Sequence, residues 1–165
     1  MSSPATEMSS TPNAVSSTES SHSRSDWIAS PGASFLLLLG RVLMGAIFVQ
    51  SGFGKLMGLD GFANMLAQRG VPMPSVFAPI GAAVEFFGGL AIVLGVWTRL
   101  AAVLMILFVI VATAISHRYW EFADMGQRRI QEVNFYKNLT MIGGFLFLIV
   151  ANGGRYCVDR LWRRG

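Results

Sequence analysis

The stretch Val76–Trp97, VFAPIGAAVEFFGGLAIVLGVW, decides the fold. Glu85 alone interrupts its apolar run with a charge, and about 20 such residues are enough for a helix to cross the hydrocarbon core. A carboxylate at bilayer depth costs on the order of 2.5–3.5 kcal/mol on insertion scales, so Glu85 marks either a site or a buried structural partner. Gly81, Gly88 and Gly89 fall about one helical turn either side of it and allow a second helix close on that face. Glu85 is therefore expected to face protein, not lipid.

Further runs of the same kind cover residues 35–56, 100–117 and 136–152. Of the 165 residues 53% are hydrophobic and 13% charged, too little polar surface for a soluble domain of this length. The reading is all-α: a four-helix transmembrane bundle, one membrane domain over residues 35–161, with the lipid bilayer as its surroundings. Met57–Pro74 reads as a short amphipathic helix at the interface, with Asp60 as its cap, Phe62, Met65 and Leu66 on one face and Gly70 at its end. Trp97–Arg99 makes a tight turn between the second and third spans. Arg118–Asn134 is a polar loop with Tyr119 and Trp120 at headgroup depth, and Ile130 and Val133 suggest that its end is already helical. Residues 1–34 are rich in Ser, Thr and Pro, and are expected to form a disordered tail. The tail lacks the pattern of a secretory signal.

The net charge is +4 and the sequence pI about 9.8. Arg155, Arg160, Arg163 and Arg164 crowd beyond the last run, where they suit an anionic leaflet. With no soluble basic face, nucleic acid is excluded as a partner. Cys157 is the single cysteine, so there is no intrachain disulfide and no CxxC motif; it reads as a small residue at the membrane edge. Four crossings put both termini on one side. The basic residues divide seven to six between the sides, and the C-terminal cluster, with Glu121, Asp124 and Glu132 diluting the other side, points to cytoplasmic termini.

One argument is independent of orientation. The end of the first span, the start of the second, the end of the third and the start of the fourth share a side. Gln50, Lys55, His117, Lys137 and Asn138 lie there, with Glu85 about 13 Å along its helix from Val76 at 1.5 Å per residue. Lys55 or Lys137 is long enough to reach towards it, and a bundle would gather these groups into one polar pocket. Phe48, Phe53, Phe86, Phe87 and Trp120 are candidate walls. A buried carboxylate beside Lys or His can exchange a proton, which suits proton-coupled electron transfer to a quinone and equally a proton-coupled transporter. The bland alternative is a Glu–Lys pair that only fixes helix register. His22 is the other histidine and lies in the tail, so haem or zinc ligation is not expected and no metal site is assigned. Gly52–Leu56 ends in Gly-Lys-Leu and lacks the earlier glycine and the Ser/Thr of a phosphate loop. Arg41 is expected to snorkel to headgroups, and Arg99 to bond free carbonyls ending the second span.

These residues also carry a resemblance. The pattern runs Arg41, Gly45, Phe48, Gly52, Lys55–Leu56, Gly61–Phe62 and Gly70–Val71–Pro72. It continues with Glu85-x-x-Gly88–Gly89 and Gly95-x-Trp97–Thr98–Arg99–Leu100–Ala101, then His117, Phe135-x-Lys137–Asn138–Leu139, Gly143–Gly144 and Gly154–Arg155–Tyr156-x-x-Asp159. It resembles the DoxX family of small four-helix membrane proteins over nearly everything outside the tail. The resemblance implies a multi-pass bacterial inner-membrane protein. The family's founding members are subunits of a thiosulfate:quinone oxidoreductase linked to a terminal oxidase, and similar proteins are tied to oxidoreductase complexes and thiol-oxidative stress. It implies no agreed catalytic residues; Glu85, Lys55, His117, Lys137 and Asn138 are matched polar positions whose roles are inferred here. The leading expectation is a quinone-linked subunit beside a partner subunit or in a homo-oligomer, with no flavin, haem or cluster site evident. The rivals are a non-catalytic scaffold and, ranked last because no inverted repeat is visible, a small-solute or proton transporter.

Overall fold

The computed structural model describes residues 30–162, so the disordered-tail reading of residues 1–29 and the arginines at 163 and 164 lie outside the described residues. The elements are α1 (Pro31–Met57), α2 (Leu59–Gln68), α3 (Pro74–Leu94), α4 (Thr98–Ser116), a 3-10 turn (Tyr119–Glu121), α5 (Met125–Ala151) and α6 (Val158–Trp162). No strand occurs among the described residues. The helices α1, α3, α4 (with the 3-10 turn that follows it) and α5 are long and apolar enough to cross a membrane. The architecture is the all-α transmembrane bundle that the apolar runs predict.

The helix ends show where local chemistry overrides a hydropathy boundary. Residues 31–34, read above as tail, are helical. Pro31 takes a first-turn position and Ser30 Oγ accepts the Ala33 N–H at 3.2 Å, a proline-plus-serine start. Asp60 does not cap α2. Gly58 holds the cap position and Asp60 lies in the first turn, where its charge complements the helix dipole. Gly70 ends α2 as expected, at φ 77°. Its N–H donates to Ala67 O at 3.0 Å and the Val71 N–H to Leu66 O at 3.0 Å, the paired closure that a left-handed glycine permits. The fourth span begins well ahead of residue 136, at Met125, because Asp124 accepts the Gln127 N–H at 2.7 Å.

Helices α1 and α3 pack closest. A Cβ on Gly52 would fall 2.5 Å from the Phe86 backbone nitrogen, and one on Gly89 would fall 2.9 Å from the Val49 nitrogen and 3.0 Å from Gly45 O. The glycines around Glu85 serve three different neighbours: Gly89 admits α1, Gly88 admits Met105 of α4, and Gly81 lies under the Phe62 ring of α2. Ile92, Ala102, Met105, Val109 and Phe145 form the sealed core, and the Phe48 and Phe145 rings meet at 5.7 Å. Leu43, Phe147 and Val150 are 68%, 80% and 78% exposed. Apolar surface so open needs acyl chains, not water, to cover it.

Candidate functional site: a polar cavity beside an apolar cleft

The antiparallel register of α1 on α3 sets Gly45 against Gly89 and Gly52 against Phe86. One turn beyond Gly52, Lys55 then comes level with Glu85, and Lys55 Nζ pairs with Glu85 Oε2. Glu85 is 4% exposed and faces protein. At 1.5 Å per residue it lies about 16 Å from the first residue of α3, near the middle of a roughly 30 Å hydrocarbon core. The Lys55 ammonium also sits 5.1 Å from the Phe62 ring centroid, a cation–π contact that shares the charge between carboxylate and ring.

The pair opens on a cavity of about 140 Å³ that also meets Ser51, Ser116, His117, Lys137 and Asn138. That is room for a few waters with polar partners on several sides. The structure thus brings together all the polar positions named from the sequence except Gln50, which is exposed and outside the lining. They are not held alike. His117 Nδ1 lies 2.8 Å from Gln131 Oε1, a contact that ties the end of α4 to α5. Asn138 Nδ2 donates to Thr113 Oγ1 at 2.8 Å, and that hydroxyl donates to Val109 O at 2.6 Å, so Asn138 fastens α5 to α4. Lys137 does not reach Glu85: its Nζ donates to Asn134 Oδ1 at 3.0 Å, in an exposed contact. One lysine holds the carboxylate; the other stands at the rim.

The aromatic expectation needs correction. Phe48 lines the cavity, but Phe53, Phe86 and Phe87 lie outside its lining, Phe86 meeting Phe53 tilted at 6.3 Å and Phe87 edge-on at 5.2 Å between centroids. Trp120 packs with Tyr119 and Phe135. Sequence reasoning missed Ser51, Ser116, Gln131 and Phe62. Ser51 lies one turn before Lys55 on the same helix face and Ser116 adjoins His117, so both carried a signal. Gln131 and Phe62 reach the site through tertiary packing and carried none.

On the other side of Lys55 lies a larger apolar cleft of about 610 Å³ between α2, α3 and α4, with Phe62, Leu66, Ile80, Val84, Leu104 and Leu107 among its walls. Lys55, Phe108, Ala112 and Ser116 line both spaces. Lys55 thus brings the one charge on the wall that the polar chamber shares with the lipid-like one. An ammonium, a carboxylate and an imidazole around one chamber can bind water, hold a proton and pass it on.

At the far end, Arg41 does not snorkel. It is 1% exposed, and its Nη2 donates to the Tyr156 carbonyl. The cause is tertiary: the segment after α5 folds back beneath the α3–α4 turn. There Asp159 accepts the Thr98 N–H at 2.9 Å and the Trp97 N–H at 2.6 Å, and its own N–H donates to Gly95 O. Ala91 O accepts the Gly95 and Val96 N–H groups, so backbone donors, not Arg99, meet these carbonyls. Arg99 is exposed. Cys157, expected at the membrane edge, is buried in this cluster.

Comparison with known proteins identifies the family. The DoxX family model matches residues 36–118, a span that holds Lys55, Glu85 and His117. The chain is 38% identical to the inner membrane protein YphA of Escherichia coli K12 over 127 residues, 76% of this chain and 89% of that protein. It is 35% identical to the inner membrane protein YqjF of the same organism over 125 residues, 76% of this chain and 90% of the relative. Over a shorter stretch of 73 residues, 44% of this chain and 53% of the relative, it is 37% identical to the candidate oxidoreductase CatD of Bacillus subtilis. No solved structure matches the chain. On the family model and on relatives matched over most of their length, this membrane protein belongs to the DoxX family.

Proposed function

We propose that the chain is a quinone-linked subunit of a membrane oxidoreductase, seated in a bacterial inner membrane with both termini cytoplasmic. The single observation that carries this reading is the Lys55–Glu85 pair lining a polar cavity, with Lys55 also on the wall of an apolar cleft. The likeness to CatD supports an oxidoreductase setting, and YphA and YqjF support the inner membrane. The fit is chemical. A quinone accepts two electrons and two protons; the electrons come from the redox group of a partner subunit. The chain's own task is then to hold and deliver protons. Lys55 Nζ offsets the Glu85 carboxylate directly within the span. His117 links the chamber to Gln131 at the outer end of α5.

The test is Glu85→Gln in the native membrane. The amide keeps the shape and can still accept from Lys55 but removes the ionisable proton and the counter-charge, so quinone reduction per folded protein should fall at least tenfold, beyond any loss of thermal stability. Unchanged turnover, or a purified protein with neither extractable quinone nor a redox-active partner, overturns the reading. The scaffold alternative is favoured by one observation, that Lys55 and Glu85 satisfy each other directly, and it predicts unchanged turnover in Glu85→Gln.

A further inference from the structure

We infer that the apolar cleft, and not the polar cavity, receives the ring of the membrane-borne quinone, with Lys55 as the anchor for a ring oxygen and Phe62 of α2 as the gate. This rests on the quinone reading above and adds where the molecule sits and what admits it.

Size separates the two spaces. The polar cavity offers about 140 Å³ and the cleft about 610 Å³, and small-molecule sites run at roughly 300–1,000 Å³. Lining chemistry narrows the occupant. Apart from Lys55 and Ser116, the cleft's walls are apolar. A molecule that uses this surface is apolar along its body and carries a hydrogen-bond acceptor at one end. A quinone with its isoprenoid tail has that form, since the ring oxygen can accept from an ammonium. An acyl chain would use the walls and leave Lys55 untouched. A phospholipid headgroup would bring its charges into the bilayer core, which is costly.

The gate follows from Phe62. Its ring already lies over the Lys55 ammonium at 5.1 Å and against Gly81 of α3. It covers one face of the ammonium, while Lys55 remains on the cleft wall beside it. Helix α2 is bounded by Gly58 on one side and by Gly70, at φ 77°, on the other. Glycines at both ends let such a short helix shift without strain within it. A displaced Phe62 would free the ammonium's face for the ligand while Glu85 keeps its other side. Lys55 would then touch both the acceptor and the proton reservoir, which its place on the wall shared by the two spaces allows.

The experiment uses the full chain in phosphatidylcholine nanodiscs and a short-tailed azido-quinone as the photolabel, with a tailed quinone lacking the azide as competitor. Labelled peptides are mapped by mass spectrometry. Competed label on the α3 and α4 walls, at Ile80, Leu104 or Leu107, is the expected result. Phe62→Trp should lower that labelling and Phe62→Ala should raise it, by about threefold each way. Lys55→Gln combined with Glu85→Gln, which leaves no unpaired charge, should weaken competition by about tenfold, the loss of one charge-assisted hydrogen bond. Competed label confined to the polar cavity, at Asn138 or Met141, or to the outer face at Phe147 and Val150, overturns the cleft and gate while leaving the quinone reading standing. Competed label on the cleft walls that is indifferent to both Phe62 variants overturns the gate. Label that no quinone displaces anywhere overturns the function reading, and this inference with it.

Discussion

Glu85 in α3 and Arg41 in α1 are both buried, at 4% and 1% exposure, yet the protein treats them in opposite ways. Glu85 meets a counter-charge and has a cavity beside it. Arg41 is walled in by Gly95 and Cys157 and donates to a backbone carbonyl, while its Nε and Nη1 find no hydrogen-bond partner. The first arrangement leaves space where a proton, a water or a ligand can change. The second packs the Arg41 guanidinium directly against Gly95 and the Cys157 side chain. Burial of a charge within a span therefore does not by itself announce chemistry; the adjoining empty volume does. Arg41 and Asp159 fasten the C-terminal segment under the α3–α4 turn, while Lys55 and Glu85 line a cavity.

Breaking the seam that joins the two regions should have the largest effect. Gly52→Leu would drive a side chain into the Phe86 backbone and part α1 from α3 between the two charges. The expected cost is about 3 kcal/mol or more, seen as loss of a monodisperse folded species in mild detergent. A variant that unfolds at the wild-type temperature would refute the packing of α1 on α3.

Next comes removal of one partner from the central pair. Glu85→Ala leaves a lysine ammonium facing the core. A fully buried orphan costs about 3–5 kcal/mol; Lys55 is 31% exposed on its side chain, so about 2 kcal/mol is expected here after discounting for solvent. Lys55→Ala and the double variant complete the cycle, with a coupling of about 1–2 kcal/mol in thermal or denaturant unfolding. Zero coupling would dissolve the contrast between the two regions.

At the opposite end the effect should be smaller and confined. Asp159→Ala removes the acceptor for two N–H groups at the start of α4 and should cost about 1 kcal/mol, as loss of a cap does. Limited proteolysis should then cut after residue 151 sooner than in the wild type, with quinone reduction per folded protein unchanged. Reduced turnover at equal folding would show that the two ends are coupled.

The smallest change calibrates the rest. Gly143→Ala places a methyl where nothing lies within 4 Å, and by helix propensity it should be neutral or stabilising by up to about 1 kcal/mol. At Gly144 the same change brings Cβ within 2.8 Å of Met44 Sδ, so that neighbouring variant should be the worse of the two. Equal behaviour would mean that these packing distances do not govern stability.

Much of this contrast was legible in the chain. Glu85 stood out because a lone carboxylate in an apolar run has few tolerable environments, and helix polarity alone brought Lys55, His117, Lys137 and Asn138 to the same side. Arg41 was misread by the rule for basic residues near helix ends, since nothing near it in sequence shows that Tyr156 will return to cover it. The same limit hid Phe62 and Gln131, whose partners lie on other helices.

The amino-acid order by itself determined the number of spans, their antiparallel sequence and the side on which each polar residue falls, because hydropathy and helical rise act along the chain. Only the tertiary structure decided which lysine holds Glu85, that Arg41 is sealed, and that a polar cavity and an apolar cleft share a wall that includes Lys55. Those outcomes depend on the rotation and closeness of helices, set by which glycine admits which neighbour, and a linear pattern does not encode that choice locally.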